Sequence, residues 1–254
     1  MKQWQSFFII LSIFFGMLMP SFSFAKTTSP AADRYLPILM YHHITKRVPQ
    51  NPYFVSPQIF DQQMAWLQQN KYQVISMDAA ASALKNNTPL PEKSVVLTFD
   101  DGLRDQYENA LPILKKYNDT ATFYIITGSV GKKSYLTWDM IKKMHAAGME
   151  IGAHTETHPN VAHLSGNKLT EEIAGSKKML ESELGIPVTS FAYPGGAYND
   201  RAIAEVHAAG FTNAVSTRHR VMHSTTENPL ALGRMHIDDD MISFALFVTG
   251  KKLN

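Results

Sequence analysis

The sequence predicts an α/β fold, a single domain built on a parallel sheet that closes, fully or nearly, into a barrel. Strand-like runs and helix-like patterns alternate along most of the chain, which is typical of a parallel sheet with helices on its faces. Candidate catalytic residues directly follow several strand-like runs, as they do where strand ends carry the active site. A length of 254 residues is ordinary for one such domain. An open doubly wound sheet follows the same rule, so the closure of the sheet stays undecided.

The composition excludes several classes of function. The chain is 44% hydrophobic and 18% charged, with a formal net charge of +2. It has no long basic stripe of the kind that a nucleic-acid-binding surface requires. It also has no cysteine, which excludes disulfides, a lipoprotein anchor, thiol catalysis and cysteine-ligated zinc. A metal site in this chain must therefore use histidine and carboxylate ligands.

Residues 1–25 have the pattern of a signal peptide. Lys2 gives a positive start, residues 7–19 are apolar, and Ser23 and Ala25 provide the small residues that a signal peptidase reads. A retained membrane anchor is the alternative, but the apolar run ends at Pro20 and falls short of the ~20 residues of a spanning helix. We expect export across the inner membrane to the periplasm or beyond, no stable membrane span after cleavage, and a monomer. Residues 26–35 are predicted to be a linker and residues 36–254 the folded domain.

Strands are predicted from short runs rich in apolar, β-branched and aromatic residues. The runs span residues 36–44, 72–77, 94–99, 121–126, 149–153, 188–193, 211–217 and 232–237.

Helices are predicted where a capping residue precedes apolar residues spaced on one helical face. The first begins after Ser56, with Pro57 in its first turn. The others are predicted at 78–84, at 105–117, from the Thr137 cap to 147, from Thr170 to Gly185, from the Asn199 cap to 210, and from the Asp238 cap to 247.

Two adjacent carboxylates, Asp100 and Asp101, directly follow the strand predicted at 94–99. Removing a carboxylate from water costs several kcal/mol, about the effective penalty for ion burial. Two like charges at the end of a buried strand therefore need compensation, and a metal cation would provide it. The alternative is that the two residues cap the helix that follows.

His154 and His158 follow the strand predicted at 149–153. A spacing of four residues on a helical turn brings both rings to one side. The pattern differs from the zinc-protease helix motif, because Glu156 does not directly follow the first histidine and Pro159 breaks the helix. Two histidines and one aspartate form a three-ligand set with an open position, which is typical of a catalytic metal site and suits hydrolysis.

Three motifs together resemble the polysaccharide deacetylase family, also called the NodB-homology or carbohydrate esterase family four domain. They are Thr-Phe-Asp-Asp-Gly at 98–102, His-Thr-Glu-Thr-His-Pro at 154–159 and Phe-Ala-Tyr-Pro-Gly-Gly at 191–196. The resemblance covers residues 36–237. Residues 39–42 and 56–67 resemble the branch that deacetylates poly-β-1,6-N-acetylglucosamine. The resemblance implies a distorted parallel (β/α) barrel of the NodB-homology type with one divalent metal ion, usually Zn²⁺, with Co²⁺ or Ni²⁺ as substitutes.

The resemblance also implies residue roles. The catalytic base falls on Asp100, and the backbone N–H that contacts the oxyanion falls on Gly195. The metal ligands fall on Asp101, His154 and His158.

This chain departs from the family pattern in two places. Many members begin the third motif with an arginine that orients the base, whereas this chain has Ala192 there. Arg234 is the candidate replacement, and a different orientation of the base is the alternative. The late Leu-x-His acid motif is also missing. In the poly-N-acetylglucosamine branch the acid comes from the early Tyr-His pair, which implies His42, with His236 as the next candidate.

His42 and His43 are adjacent on one strand, so they are predicted to point to opposite faces, with His43 packed outward or against a helix. Tyr193 is a candidate substrate contact. Together with Trp138 and Tyr198 it would form either a sugar platform or part of the core.

The predicted function is metal-dependent N-deacetylation of an N-acetylglucosamine polymer such as an exopolysaccharide, peptidoglycan or a chitin-like chain. Asp100 would take a proton from the attacking water, and a general acid would protonate the departing amine. A carbohydrate O-acetyl esterase is one alternative, because an ester leaving group needs less help from an acid. A non-catalytic sugar-binding protein on the same fold is the other.

Overall fold

The computed structural model describes residues 35–46, 51–219, 222–223 and 228–250. The expected signal peptide and residues 26–34 of the expected linker lie outside the described residues. Tyr35, expected at the end of the linker, begins the first strand. Within the described ranges, no helix has the length and apolar character needed to cross a membrane.

The described strands are short, and those of the main sheet are largely buried except β5. In chain order they are β1 (Tyr35–Leu36), β2 (Ile38–Tyr41), β3 (His43–Ile44), β4 (Phe54–Val55), β5 (Gln73–Ile75), β6 (Ser94–Phe99), β7 (Thr122–Ile125), β8 (Glu150–Ala153), β9 (Ser190–Ala192), β10 (Asn213–Val215), β11 (Met222–His223) and β12 (Met235–His236).

Helices occupy most of the connections between these strands. They are α1 (Pro57–Gln69), α2 (Met77–Lys85), α3 (Leu111–Tyr117), α4 (Trp138–Ala146), α5 (Gly166–Thr170), α6 (Ser176–Leu184), α7 (Asp200–Ala208) and α8 (Met241–Thr249). A π-helical segment, Gln106–Ala110, leads into α3, and another, Glu171–Gly175, joins α5 to α6. Short 3₁₀ turns lie at Thr127–Ser129, Val161–His163 and Pro194–Gly196.

The main sheet has eight strands in the order β10-β9-β8-β7-β6-β2-β12, with β5 paired to β6 off this path. All the pairings within it are parallel. The segment that leads into β12 contacts β10, the strand at the opposite edge of the sheet. The N–H of Ser216 donates to the carbonyl of Leu232 at 2.8 Å, and the N–H of Leu232 donates to the carbonyl of Ala214 at 2.9 Å. The sheet therefore curls into a distorted barrel, which confirms the predicted fold class and decides against the open doubly wound sheet.

Alternate residues of the strands pack into two separate apolar clusters. Leu39 and Leu97 belong to the larger cluster, between the sheet and the helices. Ile38 and Val96, one position earlier on the same strands, belong to the smaller one. Because successive side chains of a strand point to opposite faces, both faces of the sheet are covered. This is why the strands appear in the sequence as continuous apolar runs.

Three helices begin at residues other than the predicted ones. Helix α2 is capped by Ser76, whose side chain accepts from the N–H of Ala79, so it starts before the predicted Asp78. Helix α5 follows Ser165, five residues before the predicted Thr170. Helix α8 is capped by Asp240, not by the predicted Asp238. Several polar residues near each start are able to cap, and tertiary packing selects among them.

Candidate active site

Chemically reactive side chains from several strand ends converge on one cavity of about 570 Å³. The two aspartates follow β6, His154 follows β8, and His42 follows β2. Because the strands are parallel, their carboxyl ends meet at the same end of the barrel. The cavity lining comprises Met40, His42, His43, Asn51, Pro52, Tyr53, Phe54, Asp100, Asp101, His154, His158, Gly195, Thr217 and His236.

Asp101, His154 and His158 form a cluster that could hold one metal ion, with one ligand atom from each lying within 4.8 Å of the others. Oδ1 of Asp101 lies 3.5 Å from Nε2 of His154 and 3.6 Å from Nε2 of His158. Two ligands bound tetrahedrally at zinc distances lie about 3.3–3.5 Å apart. The three residues therefore fit a small divalent cation with only slight adjustment.

The environment of His154 prepares it for metal binding. Its Nδ1 lies 2.7 Å from the carbonyl oxygen of Ala192, so Nδ1 carries the proton and Nε2 is left with its lone pair toward Asp101. Burial lowers the pKa of His154, which keeps the imidazole in the neutral form that a metal requires. Burial also raises the pKa of Asp101, and the neighbouring negative charge of Asp100 adds to this effect.

The two histidines meet through a loop and not through the helical turn predicted for them. Thr155 and His158 both have a left-handed backbone, with φ of 64° at each. Asp101 is left-handed as well, with φ of 75°. Such a conformation costs a residue other than glycine about 1–3 kcal/mol and is typical of functional sites. The helical prediction was therefore wrong about local structure, although the two rings still lie 4.8 Å apart.

Asp100 is bound on both carboxylate oxygens by Arg234. Nη1 of Arg234 donates to Oδ1 at 2.7 Å and Nη2 donates to Oδ2 at 2.6 Å. The guanidinium is fully buried, and it also donates to the hydroxyl of Thr98 and the carbonyl of Ser216. Arg234 thus makes the contact to Asp100 that was expected of the arginine missing from the third motif.

This ion pair keeps Asp100 charged. Burial alone raises the pKa of a carboxyl group, but the charge of Arg234 and its hydrogen bonds to the carboxylate outweigh burial and hold the pKa of Asp100 well below its usual range. Asp100 is therefore a carboxylate at neutral pH, as a proton acceptor must be.

His42 lies next to this carboxylate, with Nε2 at 4.0 Å from Oδ2 of Asp100. Burial lowers the pKa of His42 to about 4, and the charge of Asp100 only partly opposes this effect. The ring is therefore neutral at pH 7.

Gln106 holds the chain segments of both residues in place. Its side-chain amide donates to the carbonyl of His42 at 3.0 Å and to that of Asp100 at 2.6 Å. Gln106 was not predicted from the sequence, because a glutamine in a helical stretch belongs to no distinctive motif.

His43 contacts a different set of residues. Its Nδ1 lies 2.7 Å from Oδ2 of Asp105, at the start of the helical stretch after β6, and its ring stacks on Phe54 at 4.3 Å. It also lies in the cavity wall. The two histidines thus have different partners, as their predicted opposite directions imply, but both of them line the cavity.

Tyr193 does not lie where a sugar would reach it. Its side chain is fully buried, and its hydroxyl donates to the carbonyl of Leu230 at 2.9 Å. The prediction of a substrate contact is therefore wrong for this side chain, which packs in the core. Trp138 and Tyr198 are partly buried and pack against the same core. Gly195 is exposed in the cavity, with a left-handed φ of 60°.

Tyr53 and His236 also line the cavity. His236 was predicted only as an alternative acid, and Tyr53 was not predicted as a site residue. No motif contains either residue, and contacts across the barrel bring them together.

Comparison with protein families shows that residues 87–214 match the model of the polysaccharide deacetylase family. The chain is 34% identical over 216 residues to the putative polysaccharide deacetylase YxkH of Bacillus subtilis, covering 85% of this chain and 75% of that protein. It is 30% identical over 202 residues to a poly-β-1,6-N-acetyl-D-glucosamine N-deacetylase of Staphylococcus aureus, covering 74% of this chain and 69% of that protein.

A solved structure is similar over most of the chain. It is the Streptococcus pyogenes deacetylase PplD in complex with acetate, with a TM-score of 0.81 and 34% sequence identity. The match covers 87% of this chain and 100% of that one. It extends the similarity from sequence to the arrangement of the barrel.

Proposed function

This chain belongs to the polysaccharide deacetylase family, and from that premise we propose that it is a metal-dependent hydrolase that removes N-acetyl groups from an N-acetylglucosamine-containing polysaccharide. One observation carries the proposal. A possible three-ligand metal cluster and a separate carboxylate bound by arginine face the same cavity. This arrangement combines the two functions that amide hydrolysis needs, activation of the carbonyl and removal of a proton from water.

Asp101, His154 and His158 would hold the cation, and Zn²⁺ is the best match to one carboxylate and two imidazoles, with Co²⁺ or Ni²⁺ as substitutes. When bound, the cation would polarise the acetamide carbonyl and lower the pKa of a water molecule. The protein contributes the orientation of the ligands, since the carbonyl of Ala192 fixes the ring of His154.

Asp100 is proposed as the base that accepts a proton from the attacking water. Arg234 keeps this carboxylate ionised and fixes the plane of its two oxygens. The same pairing makes Asp100 a weak base, because its pKa is held low. Asp100 therefore passes the proton on instead of keeping it.

His42 is the proposed recipient. Nε2 of the neutral ring lies 4.0 Å from Oδ2 of Asp100, and a small shift of the His42 ring would bring the two atoms close enough for a proton to move. Protonated His42 then donates this proton to the departing nitrogen, because an amine leaves only after protonation. One proton of the water thus reaches the departing nitrogen, which gives the free amine and acetic acid, and the acid ionises to acetate in solution.

The backbone N–H of Gly195 is the proposed oxyanion contact. Gly195 lies in the cavity wall, and its left-handed φ of 60° is one that glycine adopts without strain. A backbone donor fixed in advance stabilises negative charge that develops on the attacked oxygen.

The substrate class rests on similarity. The S. aureus relative is by name a deacetylase of poly-β-1,6-N-acetyl-D-glucosamine, and we propose a polymer of this kind for this chain. Peptidoglycan and chitin-like chains contain the same acetamido sugar and are the other candidates. Such polymers lie outside the cytoplasm, and the signal-like pattern of residues 1–25 supports the proposal that the protein acts in the periplasm or beyond.

A carbohydrate O-acetyl esterase is the second candidate, and the state of His42 favours it. Burial lowers the pKa of His42 to about 4, so a ready-charged acid is absent at neutral pH. An alkoxide leaving group is less basic than an amide anion and needs less help from an acid. A sugar-binding protein without turnover is disfavoured, because the base, the ligand cluster and the acid candidate lie together.

The experiment that tests the proposal is a release assay with purified, zinc-loaded protein. N-Acetylated and O-acetylated glycans are incubated in parallel, and acetate and free amine are measured in each. We expect equal amounts of acetate and amine from an N-acetylglucosamine oligomer. Acetate without amine, from O-acetylated glycans alone, would identify the esterase instead.

The role of His42 is tested by comparing two leaving groups. We expect His42→Ala to lower kcat/KM for the acetylated oligomer by about 10²–10⁴-fold. The kcat/KM for an activated phenyl acetate ester should fall much less, because the phenolate leaves without being protonated. His43→Ala is the matched control and should mainly affect stability, since His43 binds Asp105. Equal losses on both substrates for His42→Ala would mean that His42 positions the substrate or supports the metal site.

A further inference from the structure

Two histidine nitrogens at the cavity have no hydrogen-bond partner within the described chain. They are Nδ1 of His42 and Nε2 of His236, and both atoms are buried. The ring of Tyr53 lies against both histidines, with centroid distances of 4.7 Å to His42 and 5.1 Å to His236. An unpaired buried nitrogen is unfavourable, because it has lost its hydrogen bonds to water and has no protein partner in their place. A ligand that supplies a hydrogen bond there would be favoured.

The fold directs His236 to the reaction centre. His236 is paired in register with Met40, two residues before His42, and the rings of the two histidines lie 5.8 Å apart. Side chains two residues apart on an extended segment share a face. His236 therefore points to the same side as Arg234, which binds Asp100, whereas Met235 between them is buried in the larger apolar cluster.

Tyr53 is fixed by its backbone and exposed at its side chain. Its carbonyl accepts from the N–H of His43 at 3.0 Å, and its own N–H donates to Oδ1 of Asn51 at 3.1 Å. The residue is nevertheless 49% exposed and lines the cavity. A large aromatic ring that stays accessible beside polar groups is a common feature of ligand sites, where it covers an apolar surface of the ligand.

We propose that His236 and Tyr53 form the contact surface for the sugar ring that carries the attacked acetyl group. Nε2 of His236 hydrogen-bonds a hydroxyl of this sugar, and the ring of Tyr53 packs on its apolar face. The ligand is an N-acetylhexosamine unit of the polymer, so the inference rests on the proposed function. Burial lowers the pKa of His236, which leaves a neutral ring able to donate at one nitrogen and accept at the other.

The test uses substrates with and without a sugar. His236→Ala, His236→Gln and the exposed control His207→Ala are assayed on a β-1,6-linked N-acetylglucosamine oligomer and on 4-nitrophenyl acetate. We expect His236→Ala to raise KM for the oligomer about tenfold, the equivalent of one lost hydrogen bond, with a smaller effect on kcat and on the ester. His236→Gln should recover most of the loss, because its amide offers a donor and an acceptor in a similar place.

Tyr53 provides an independent variant at a partly exposed position. We expect Tyr53→Ala to raise KM for the oligomer while Tyr53→Phe, which keeps the ring, stays close to the parent protein. Thermal midpoints check that each variant is folded. If each alanine variant lost as much activity on the ester as on the oligomer, the inference would be overturned. The two residues would then contribute to the reaction itself or to the stability of the fold, and not to sugar binding.

Binding measurements separate this inference from the proposed reaction. Calorimetry measures the affinity of Asp100→Asn for the oligomer, with and without His236→Ala. Weaker binding of the double variant would support the sugar contact even if the parent protein released no acetate. Conversely, a parent that deacetylates the oligomer, together with an unchanged Kd and KM after His236→Ala, would overturn the contact and leave the proposed function in place.

Discussion

Arg234 and Asp100 form a fully buried ion pair with two parallel hydrogen bonds. A buried pair of this kind is costly to break, because removal of one partner leaves a charge without water or a counter-ion. The pair also sets the protonation state of the proposed base. Stability and chemistry are therefore coupled at this one contact.

We predict that Arg234→Met destabilises the protein by about 3–5 kcal/mol, the typical cost of an uncompensated buried charge. Urea denaturation at pH 7 measures this. Arg234→Lys keeps the charge but not the paired geometry, so the pKa of Asp100 should rise and the acidic limb of the kcat/KM profile should move to higher pH. Arg201→Lys, an exposed substitution, is the control. An unchanged stability of Arg234→Met would show that the pair contributes little.

The three residues of the possible metal cluster, Asp100 and the early histidine pair were predicted from the sequence, because they lie in motifs at strand ends. Arg234 was named only as a candidate replacement for the arginine missing at Ala192, since no spacing rule links it to Asp100. Gln106, Tyr53 and the left-handed loop between His154 and His158 were missed. Long-range packing and backbone strain produce these features, and neither leaves a local pattern in the sequence.

At the scale of elements, β8 and α2 meet through a buried carboxylate far from the cavity. Oε2 of Glu150, the first residue of β8, accepts from the backbone N–H of Asp78 in the first turn of α2 at 3.2 Å. Burial, with a smaller contribution from the charge of Asp78, raises the pKa of Glu150 to about 7. The folded protein therefore binds this proton more tightly than the unfolded chain.

A raised carboxyl pKa makes stability fall as pH rises. The contribution of Glu150 is fully present below the unfolded pKa of about 4.3 and is lost as pH rises to about 7. We predict that Glu150→Gln, which keeps an acceptor oxygen, removes this loss. Relative to the parent protein, the variant should gain on the order of 2 kcal/mol between pH 5 and pH 8. Denaturant titrations at both pH values measure the gain, and a pH-independent difference would contradict it.

At the scale of the whole molecule, the barrel brings together residues that are far apart in sequence. His42 and His236 come from the first and last parts of the described domain, and β12 pairs with β2 beside them. The alternation of strands and helices predicted the parallel sheet, but its closure depends on the hydrogen bonds that residues 229–232, just before the edge strand β12, make to the opposite edge at β10. No pattern in the strands themselves specifies those contacts.

Metal binding should stabilise the whole domain, because the ligands come from two separate strand ends. Zinc at 100 to 1,000 times its Kd should add about 3–4 kcal/mol to the free energy of unfolding. Thermal scans of chelator-treated protein with and without zinc measure this effect. We predict that His158→Ala, at an exposed ligand, abolishes the effect, whereas His163→Ala retains it. An equal zinc response in both variants would exclude the cluster as the binding site.

The turnover of Asp100→Asn shows whether Asp100 is the base of a metal-dependent N-deacetylase, as we propose. Because asparagine leaves the buried Arg234 without its counter-ion, the thermal midpoint of the variant is measured together with its metal content, and turnover is compared for folded, metal-loaded protein. Asp139→Asn, at an exposed carboxylate, is the control. We predict that Asp100→Asn binds one divalent ion like the parent protein but releases acetate from an N-acetylglucosamine oligomer about 10²–10⁴-fold more slowly. A metal-loaded Asp100→Asn with near-parental turnover would contradict the claim.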